Sequence, residues 1–396
     1  MKAFYLWFKN TFLFFLLACI SCNSTSQVSI QLGIEQTQAY VPLLKNKKVA
    51  VVGNQTSVIQ NKKGEFIHLV DTLLALDVSV TQVFSPEHGF RGKADAGEKI
   101  KDGVDDATGL PIISLYGNNK KPSAQQLKGV EVVIFDIQDV GARFYTYIST
   151  LHYVMEACAE NNIDLVILDR PNPNGNYIDG PILEPEFTSF VGMHPVPVVH
   201  GLSIGEYARM INGEGFLQNK IKVNLKVIEL KNYTKQKSYN LPIKPSPNLP
   251  NAKAINLYPS LCFFEGTNVN AGRGTDLQFQ VFGSPFLDAG VFPYAYTPTP
   301  NEGAKSPKHI NELCYGENLQ NSKNLNQLEL KWLIKAYQNT ANKGTFFNSF
   351  FNKLAGNATL QEAIKAGKSA EEIRASWQDD LDAYRKRIEQ YLLYEW

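Results

Sequence analysis

Residues 130–137, with the sequence VEVVIFDI, form an almost uninterrupted run of β-branched and aromatic side chains. A strand of this composition has no polar face for water, so it must be covered on both sides, as strands of parallel sheets are. Five other short runs have the same character. They are residues 47–53, 78–84, 111–115, 164–168 and 223–229. The chain therefore predicts a sheet of six buried strands.

Segments with helical patterns separate these strands. They are residues 67–76, 123–127, 146–161 and 203–211. In the last of them, Ser203 and Glu206 have the spacing of an N-terminal capping box. Strands that alternate with helices form a parallel sheet with helices on its faces. We therefore predict the α/β class, with a doubly wound, mostly parallel sheet in the N-terminal part of the chain.

The composition changes at residues 241–252 (LPIKPSPNLPNA), where four prolines favour a linker or an extended crossing segment. Beyond this segment the chain is rich in glycine, aromatic and polar side chains, and residues 327–337 and 370–394 have helical spacing. We interpret residues 28–250 as the domain that contains the sheet. Residues 251–396 are then a smaller α+β auxiliary domain.

The first 27 residues have the pattern of an export sequence rather than of a folded element. A positive region with Lys2 and Lys9 precedes an apolar run at residues 11–20, which is short for a membrane span and suits a signal peptide. Residues 16–19 (LLAC) fit a bacterial lipobox with Cys19 as the lipidated residue, and Cys22 is a second candidate. A plain secretory signal is the alternative. We expect an exported lipoprotein, anchored in a membrane of the periplasm or cell envelope.

Charge and cysteine content exclude several classes of protein. The chain has 39 basic and 38 acidic residues and no basic patch, so nothing indicates binding to nucleic acid. Beyond the N-terminus only Cys158, Cys262 and Cys314 remain, enough for one disulfide but too few for a disulfide scaffold. No CxxC pair supports a structural zinc site.

Motifs for the common cofactors are also missing. The turn after the first strand has the sequence GNQTSV instead of GxGxxG, and the chain contains no GxxxxGK[ST] or GxSxG motif. Glu87, His88, Asp136 and His200 are metal-ligating residue types, but no HExxH or similar spacing connects them. We therefore expect neither a cofactor nor a metal.

A charged loop follows the second predicted strand. Pro86 ends that strand because proline has no N–H for the ladder, and Glu87, His88 and Arg91 come after it. Open α/β sheets bind ligands outside the carboxyl ends of their strands. Polar groups that follow other strands are expected at this edge: residues 54–57, 136–143 and 169–174, and His200. We predict a catalytic pocket centred on Glu87, and a solvated loop is the alternative.

Five motifs carry a resemblance to a known family. They are VGNQTS, SPEHGFRG, FDIQDVGARFYTY, LDRPNPNG and EGTNVNAGRGT, which begin at residues 52, 85, 135, 168 and 265. With these motifs, nearly the whole chain after residue 49 resembles the NamZ family of exo-β-N-acetylmuramidases, formerly a family of unknown function. The resemblance implies a Rossmann-like N-terminal domain, a C-terminal auxiliary domain and a site in the cleft between them.

The resemblance also implies removal of terminal N-acetylmuramic acid (MurNAc) from the non-reducing end of peptidoglycan fragments. Glu87 and Glu265 are then the expected catalytic carboxyls, and His88 is expected to orient Glu87 or to bind the sugar. Eleven further side chains are expected to contact the substrate. They are Asn54, Gln55, Arg91, Asp136, Arg143, Tyr145, Asp169, Asn174, His200, Asn268 and Arg273.

Glycoside hydrolysis usually needs one carboxyl group that protonates the leaving oxygen and another that attacks C1 or activates water. Glu87 is the expected acid, because the adjacent proline and the apolar strand before it favour a desolvated carboxyl. Glu265 is the expected second carboxyl, in competition with Asp136 and Asp169, and each has a structural alternative. A third route uses the acetamide oxygen of the sugar as nucleophile, with the second carboxylate orienting it.

Selection of MurNAc over N-acetylglucosamine (GlcNAc) calls for a cation, because MurNAc carries an additional lactyl carboxylate. The planar fork of arginine suits a carboxylate, so Arg91, Arg143 and Arg273 are candidates for this contact. For each, the alternative is an ion pair with an aspartate of the protein. Two other functions also remain open: a non-catalytic peptidoglycan-binding lipoprotein, and an amidase or esterase that acts on cell-wall material.

Overall fold

The structure is a computed structural model that describes residues 29–87, 89–91 and 102–396. His88, Cys19 and Cys22, on which three predictions rest, lie outside these residues. Within the described part of the chain, no helix has both the length and the apolar character needed to cross a bilayer.

Nine strands lie in the described residues of the N-terminal part of the chain. They are β1 (Val49–Gly53), β2 (Val58–Gln60), β3 (Phe66–His68), β4 (Val80–Ser85), β5 (Gly103–Val104), β6 (Pro111–Ser114), β7 (Val132–Asp136), β8 (Asp164–Leu168) and β9 (Leu225–Ile228). Among the described residues, seven of them form one sheet in the order β5-β6-β4-β1-β7-β8-β9. Neighbours pair in parallel except β5 and β6, and β2 and β3 form a separate hairpin.

The six predicted strands are confirmed as β1, β4, β6, β7, β8 and β9. Both β1 and β7 are buried at every position, as strands covered on both faces must be. Numbered along the chain, the parallel strands lie in the order 3-2-1-4-5-6, which is that of a Rossmann-type sheet. The order reverses between β1 and β7, so the ligand crevice is expected at their carboxyl ends.

Ten α-helices lie in the described residues. They are α1 (Thr37–Leu44), α2 (Leu69–Ala75), α3 (Tyr147–Glu160), α4 (Ile204–Glu214), α5 (Ala252–Leu261), α6 (Lys331–Gln338), α7 (Phe351–Ala355), α8 (Thr359–Lys365), α9 (Ala370–Ala375) and α10 (Gln378–Ile388). The predicted capping box begins α4, because Ser203 and Glu206 each accept the backbone N–H of the other.

Two helix predictions differ from the structure. Residues 123–127 form only a turn, because Gly129, with φ of 81°, redirects the chain toward β7. The C-terminal segment is not one helix but α9 and α10, which are separated at Trp377. The indole N–H of Trp377 donates to Asp179 Oδ1 at 3.0 Å, so the break serves a contact with the N-terminal part.

The C-terminal part adds a small antiparallel sheet to its helices. Its strands β10 (Val281–Ser284), β11 (Tyr294–Tyr296) and β12 (Cys314–Asn318) lie in the order β10-β12-β11. The end of the chain returns to the first sheet, where the Tyr394 hydroxyl donates to Asp169 Oδ2 at 2.6 Å. Residues 31–396 form one compact unit through such contacts, and the boundary at residue 250 stays a prediction.

Candidate active site

The loops that follow β1, β4 and β7 meet at one edge of the sheet. Asn54 follows β1, and its side-chain amide donates to the Tyr147 hydroxyl at 2.9 Å. Tyr147 begins α3, after the loop that leaves β7, and its hydroxyl lies 3.4 Å from the carbonyl oxygen of Glu87. Glu87 follows β4. The predicted meeting of these loops is therefore present, at the point where the strand order reverses.

A cavity of about 300 Å³ opens beside these loops, and both predicted catalytic glutamates line it. Other lining residues come from both parts of the chain. They include Tyr116, Phe144, Tyr145, Thr146, Tyr147, Phe190, Ser246, Asn248, Tyr258, Arg273, Phe279 and Phe350. A concave site with many aromatic side chains and a few charged groups is typical of small-molecule sites.

Hydroxyl groups hold the carboxyl of Glu87. Thr146 Oγ1 donates to Glu87 Oε2 at 3.3 Å, and the Tyr116 hydroxyl also donates to this carboxyl. Burial and the charge of Glu87 raise the pKa of Tyr116 to about 12, so the phenol keeps its proton at neutral pH. Both hydroxyls are uncharged at neutral pH, and both orient the carboxyl of Glu87.

Cations surround the carboxyl of Glu265. This residue lies in the helical turn Cys262–Gly266, and its Oε1 accepts a hydrogen bond from Arg273 Nε at 2.8 Å. Burial by itself would raise the pKa of Glu265, but the charges of Arg273 and Lys308 lower it below the usual range. Glu265 is therefore ionised at neutral pH, as a nucleophile or base must be.

The proline-rich segment forms a wall of the cavity. The Pro245 carbonyl accepts hydrogen bonds from the Tyr145 hydroxyl at 2.9 Å, from the Tyr147 hydroxyl at 3.3 Å and from the Gln55 amide at 3.2 Å. Residues 241–252 are therefore an extended crossing segment and not a linker, since the Pro245 backbone is fixed at the site. Tyr145 also packs edge-to-face on Tyr147 and Tyr258, so its ring is part of the aromatic wall.

Four predicted substrate contacts lie in the supporting structure instead of the cavity wall. Asp136 accepts two hydrogen bonds from Arg170, at 2.6 and 2.9 Å, and is fully buried. Asp169 is fully buried too, and burial raises the pKa of its carboxyl to about 6 although Tyr394, Gly205 and Ser203 donate to it. Both aspartates thus have the structural role that was the alternative for them.

The amides of Asn54 and Asn174 are likewise used by the protein. Asn54 binds Tyr147 and accepts from Thr56, while Asn174 Nδ2 donates to the carbonyls of Val140 and Ile255 at 2.9 and 3.0 Å. The Asn174 contact to Ile255 joins a loop after β8 to α5, the helix that contains the cavity residue Tyr258.

Arg143 is fully buried and does not line the cavity. Its guanidinium donates to four backbone carbonyls, those of Pro181, Val196, Leu354 and Ala355, at 2.7 to 3.0 Å. Burial lowers the pKa of this guanidinium, yet arginine stays protonated at neutral pH. A β-carbon at Gly356 would lie 2.5 Å from Arg143 Nη2, so the guanidinium fits only against glycine. Its fork is therefore occupied by backbone carbonyls, and Arg143 has a structural role instead of the predicted contact with the lactyl group.

Three other predicted residues also lie away from the cavity wall. Arg91 pairs with Asp105 at 2.7 Å and with Asp71 at 3.3 Å, which is the ion-pair alternative. His200 is buried, and burial lowers the pKa of its imidazole to about 3, so it is neutral. Asn268 lies in the loop after Glu265, and its carbonyl accepts from Ser284 and His309. Of the three arginines, Arg273 is thus the one that lines the cavity.

The described residues contain neither a candidate metal site nor a disulfide. In residues 29–87, 89–91 and 102–396, no cluster of three or more His, Cys, Asp or Glu side chains could hold a metal ion. Cys158, Cys262 and Cys314 are separate buried thiols, so the one disulfide that the sequence allowed is not formed among them.

Sequence reasoning missed Tyr116 and Lys308. Tyr116 lies two residues beyond β6, at the same edge of the sheet, and its position after a parallel strand would have indicated it. Lys308 lies in an irregular loop between β11 and β12, and its contact with the turn of Glu265 is purely tertiary. No local pattern in the sequence points to it.

A larger cavity, of about 470 Å³, lies between residues 181–184 and the helices α8, α9 and α10. Its carboxylates, Glu184 and Asp380, are exposed to solvent, so neither is desolvated as a catalytic acid must be. None of the predicted site residues lines it. We therefore place the active site in the smaller cavity, where two carboxyls meet an aromatic wall.

Comparisons with known proteins identify the family of the chain. The family model described as exo-beta-N-acetylmuramidase NamZ, N-terminal, matches residues 49–253, and that for the C-terminal part matches residues 256–394. A curated Bacillus subtilis (strain 168) protein, peptidoglycan beta-N-acetylmuramidase NamZ, is 38% identical over 399 residues, which cover 94% of each chain.

Solved structures show the same fold. A crystal structure of a DUF1343 family protein from Bacteroides fragilis matches with a TM-score of 0.86 and 46% identity, over 93% of this chain and 99% of that chain. A second DUF1343 family protein from the same organism matches with a TM-score of 0.76 and 28% identity, over 92% and 99%. Since the family models span most of the sequence and a relative is 38% identical over 94% of it, the chain belongs to the NamZ exo-β-N-acetylmuramidase family.

Proposed function

We propose that the protein is an exo-acting β-N-acetylmuramidase that releases terminal MurNAc from the non-reducing end of peptidoglycan fragments. The observation that carries this proposal is the cavity in which Glu87 and Glu265 meet. The Bacillus subtilis relative, by its name, acts on peptidoglycan as a β-N-acetylmuramidase. A glycosidase needs two carboxyl groups with different tasks, and here hydroxyls bind Glu87 whereas Arg273 pairs with Glu265.

Glu87 is the proposed general acid. Its carboxyl gives a proton to the glycosidic oxygen while the bond from that oxygen to C1 breaks, so the leaving saccharide departs as an alcohol. Thr146 and Tyr116 donate to this carboxyl and hold it at the rim of the sheet. These two uncharged hydroxyls orient the carboxyl, which lines the cavity.

Glu265 is the proposed second carboxyl. Its carboxylate faces the positive charge that develops at C1. It acts either as the nucleophile or as the base that removes a proton from the attacking water. Arg273 and Lys308 keep this carboxyl ionised, as either task requires. The ion pair with Arg273 also fixes Oε1 within the cavity.

The size of the cavity supports an exo-acting enzyme. A volume of about 300 Å³ is at the small end for ligand sites, enough for one sugar and its substituents rather than for a run of sugars. Aromatic rings of Tyr145, Tyr258 and Phe279 give this sugar an apolar wall. The rest of the saccharide then extends from the mouth into solvent.

Arg273 is the residue that we propose to bind the lactyl carboxylate of MurNAc. Its Nε is used by Glu265, and the rest of the guanidinium, about a quarter exposed, lines the cavity over the Phe279 ring. The terminal nitrogens can therefore bind a substrate carboxylate, which GlcNAc lacks.

Replacement of Glu87 by glutamine tests the function. Glutamine has the size of glutamate but is not an acid, so turnover of a chromogenic β-MurNAc glycoside by Glu87→Gln should fall by about 10²–10⁴-fold. Glu131→Gln is the control, because Glu131 is exposed and caps only the Lys48 N–H. A wild-type protein without turnover would refute the proposed activity. Near-normal turnover by a folded Glu87→Gln protein would remove Glu87 from the mechanism.

Replacement of Arg273 by leucine tests the choice of sugar. We expect Arg273→Leu to lower kcat/KM for a MurNAc glycoside by about 10²-fold or more, the loss expected for a charge-assisted hydrogen bond. The loss for the matching GlcNAc glycoside should be much smaller, since that sugar has no carboxylate. Equal losses of kcat/KM on both sugars, in a protein that folds, would mean that Arg273 maintains the structure of the site and does not bind the lactyl group.

We also propose that the protein is exported and anchored to a membrane by a lipid. Support comes from the sequence alone, from the apolar run at residues 11–20 and the lipobox that ends at Cys19, with Cys22 as second candidate. An anchor of this kind would hold the enzyme in the cell envelope, where peptidoglycan fragments arise.

The anchor is tested by fractionation of a bacterial host that makes the full chain. Wild type should partition with membranes, and the Cys19→Ser, Cys22→Ser double variant should appear in the soluble fraction. The two single variants then assign the modified residue. A double variant that still sediments with membranes would contradict the lipoprotein proposal.

A further inference from the structure

The ammonium of Lys308 is bound to residues 264–269, the short segment that contains Glu265. It donates to the carbonyl oxygens of Phe264 and Val269, both at 2.9 Å, and to that of Thr267. An ammonium has three donors, so all of them are used on this segment. Lys308 thus fixes the backbone on both sides of Glu265.

In the part of the chain that the structure describes, no aspartate or glutamate forms an ion pair with Lys308. Its hydrogen bonds go to the neutral carbonyls of Phe264, Thr267 and Val269. Its charge nevertheless lowers the pKa of Glu265, together with that of Arg273. One carboxylate and two cations therefore share this end of the cavity, which leaves a net charge of about +1.

We propose that Lys308 is a positioning residue with two effects on the reaction: it holds Glu265 in place and ionised, and it keeps this end of the cavity positive for a substrate carboxylate. The inference rests on the proposed muramidase function and deepens it. Without Lys308, the ion pair of Glu265 and Arg273 would have no net charge. A substrate carboxylate would then be attracted to it only weakly. With Lys308 present, Arg273 can pair with Glu265 and still attract the lactyl group.

Other titratable groups that face Glu265 do not alter this balance. Tyr258 on α5 and Cys262 at the start of the turn are both buried, and burial raises the pKa of the Cys262 thiol to about 12 and that of Tyr258 well above its usual value. Both are neutral at the pH of catalysis. Glu87, across the cavity, is the proposed acid and is neutral while it carries the proton that it donates. Arg273 and Lys308 are therefore the cations that keep Glu265 ionised.

The sign of the expected pH effect follows from these charges. Catalysis needs Glu265 as a carboxylate, so the acidic limb of kcat/KM follows its pKa in the free enzyme. Loss of a neighbouring positive charge raises a carboxyl pKa. The limb should therefore move to higher pH when Lys308 is neutralised, by about one pH unit.

Two neutral variants separate charge from hydrogen bonding. Lys308→Gln keeps an amide that can donate to the same carbonyls, Lys308→Met keeps only the length, and Lys308→Arg keeps the charge. We expect both neutral variants to shift the acidic limb upward and to raise KM for a MurNAc glycoside about tenfold more than for the GlcNAc glycoside. Lys308→Arg should keep the acidic limb of the kcat/KM profile at its wild-type pH.

A matched control is available in α5. Lys253 donates to the Ser322 carbonyl at 2.6 Å and to Asn324 Oδ1 at 2.9 Å, and it does not line the cavity. Lys253→Met should lower the Tm without moving the pH profile or the ratio of the two sugars. If Lys308→Gln folds and neither the limb nor that ratio moves, the inference is wrong while the muramidase proposal stands. A wild-type enzyme inactive on MurNAc glycosides would instead refute the muramidase proposal.

Discussion

The buried guanidinium of Arg143 connects the two halves of the active site. It is held by four carbonyls, two from the N-terminal part and those of Leu354 and Ala355 at the end of α7. A buried charge is costly unless its donors are satisfied, so these four carbonyls must stay in place around it. The interaction therefore fixes α7 against the loop that leaves β7.

Both catalytic carboxyls depend on the elements that Arg143 joins. The loop on one side of it contains Thr146, which donates to Glu87. The helix on the other side follows Asn348, whose N–H donates to the Gly266 carbonyl at 3.0 Å, next to Glu265. A β-carbon at Gly266 would lie 2.5 Å from Phe351 Cα, so the turn of Glu265 lies directly on α7. The positions of Glu87 and Glu265 are thus set by contacts that lie outside the cavity.

The sheet was predictable because strands buried on both faces are apolar along their whole length, as β1 and β7 are. The loops at its edge could be predicted to meet, since parallel strands end on one side. Which motif residue would face the cavity could not be predicted. Arg143 and Asp136 have the chemistry of ligand contacts, but tertiary burial assigns them to carbonyls and to Arg170. Lys308 acts across the fold, from a loop without any local pattern.

The two carboxyls differ because of what surrounds them, a pattern that assigns acid and base roles in many enzymes. Hydroxyls of Thr146 and Tyr116 hold Glu87, whereas cations hold Glu265 and lower its pKa. The Rossmann-type sheet supplies the first and the C-terminal part supplies the second. Cleavage therefore requires that both parts of the chain contribute to one cavity.

The most direct test of this account is a double-mutant cycle on kcat/KM for a MurNAc glycoside, with Glu87→Gln, Glu265→Gln and the combined variant. Residues that act as a unit show strongly non-additive losses. We expect Glu265→Gln to be about as damaging as Glu87→Gln, and the double variant to lose only a few-fold more than either. A mild loss in Glu265→Gln, or losses that multiply in the double variant, would show that the two carboxyls do not work as a pair.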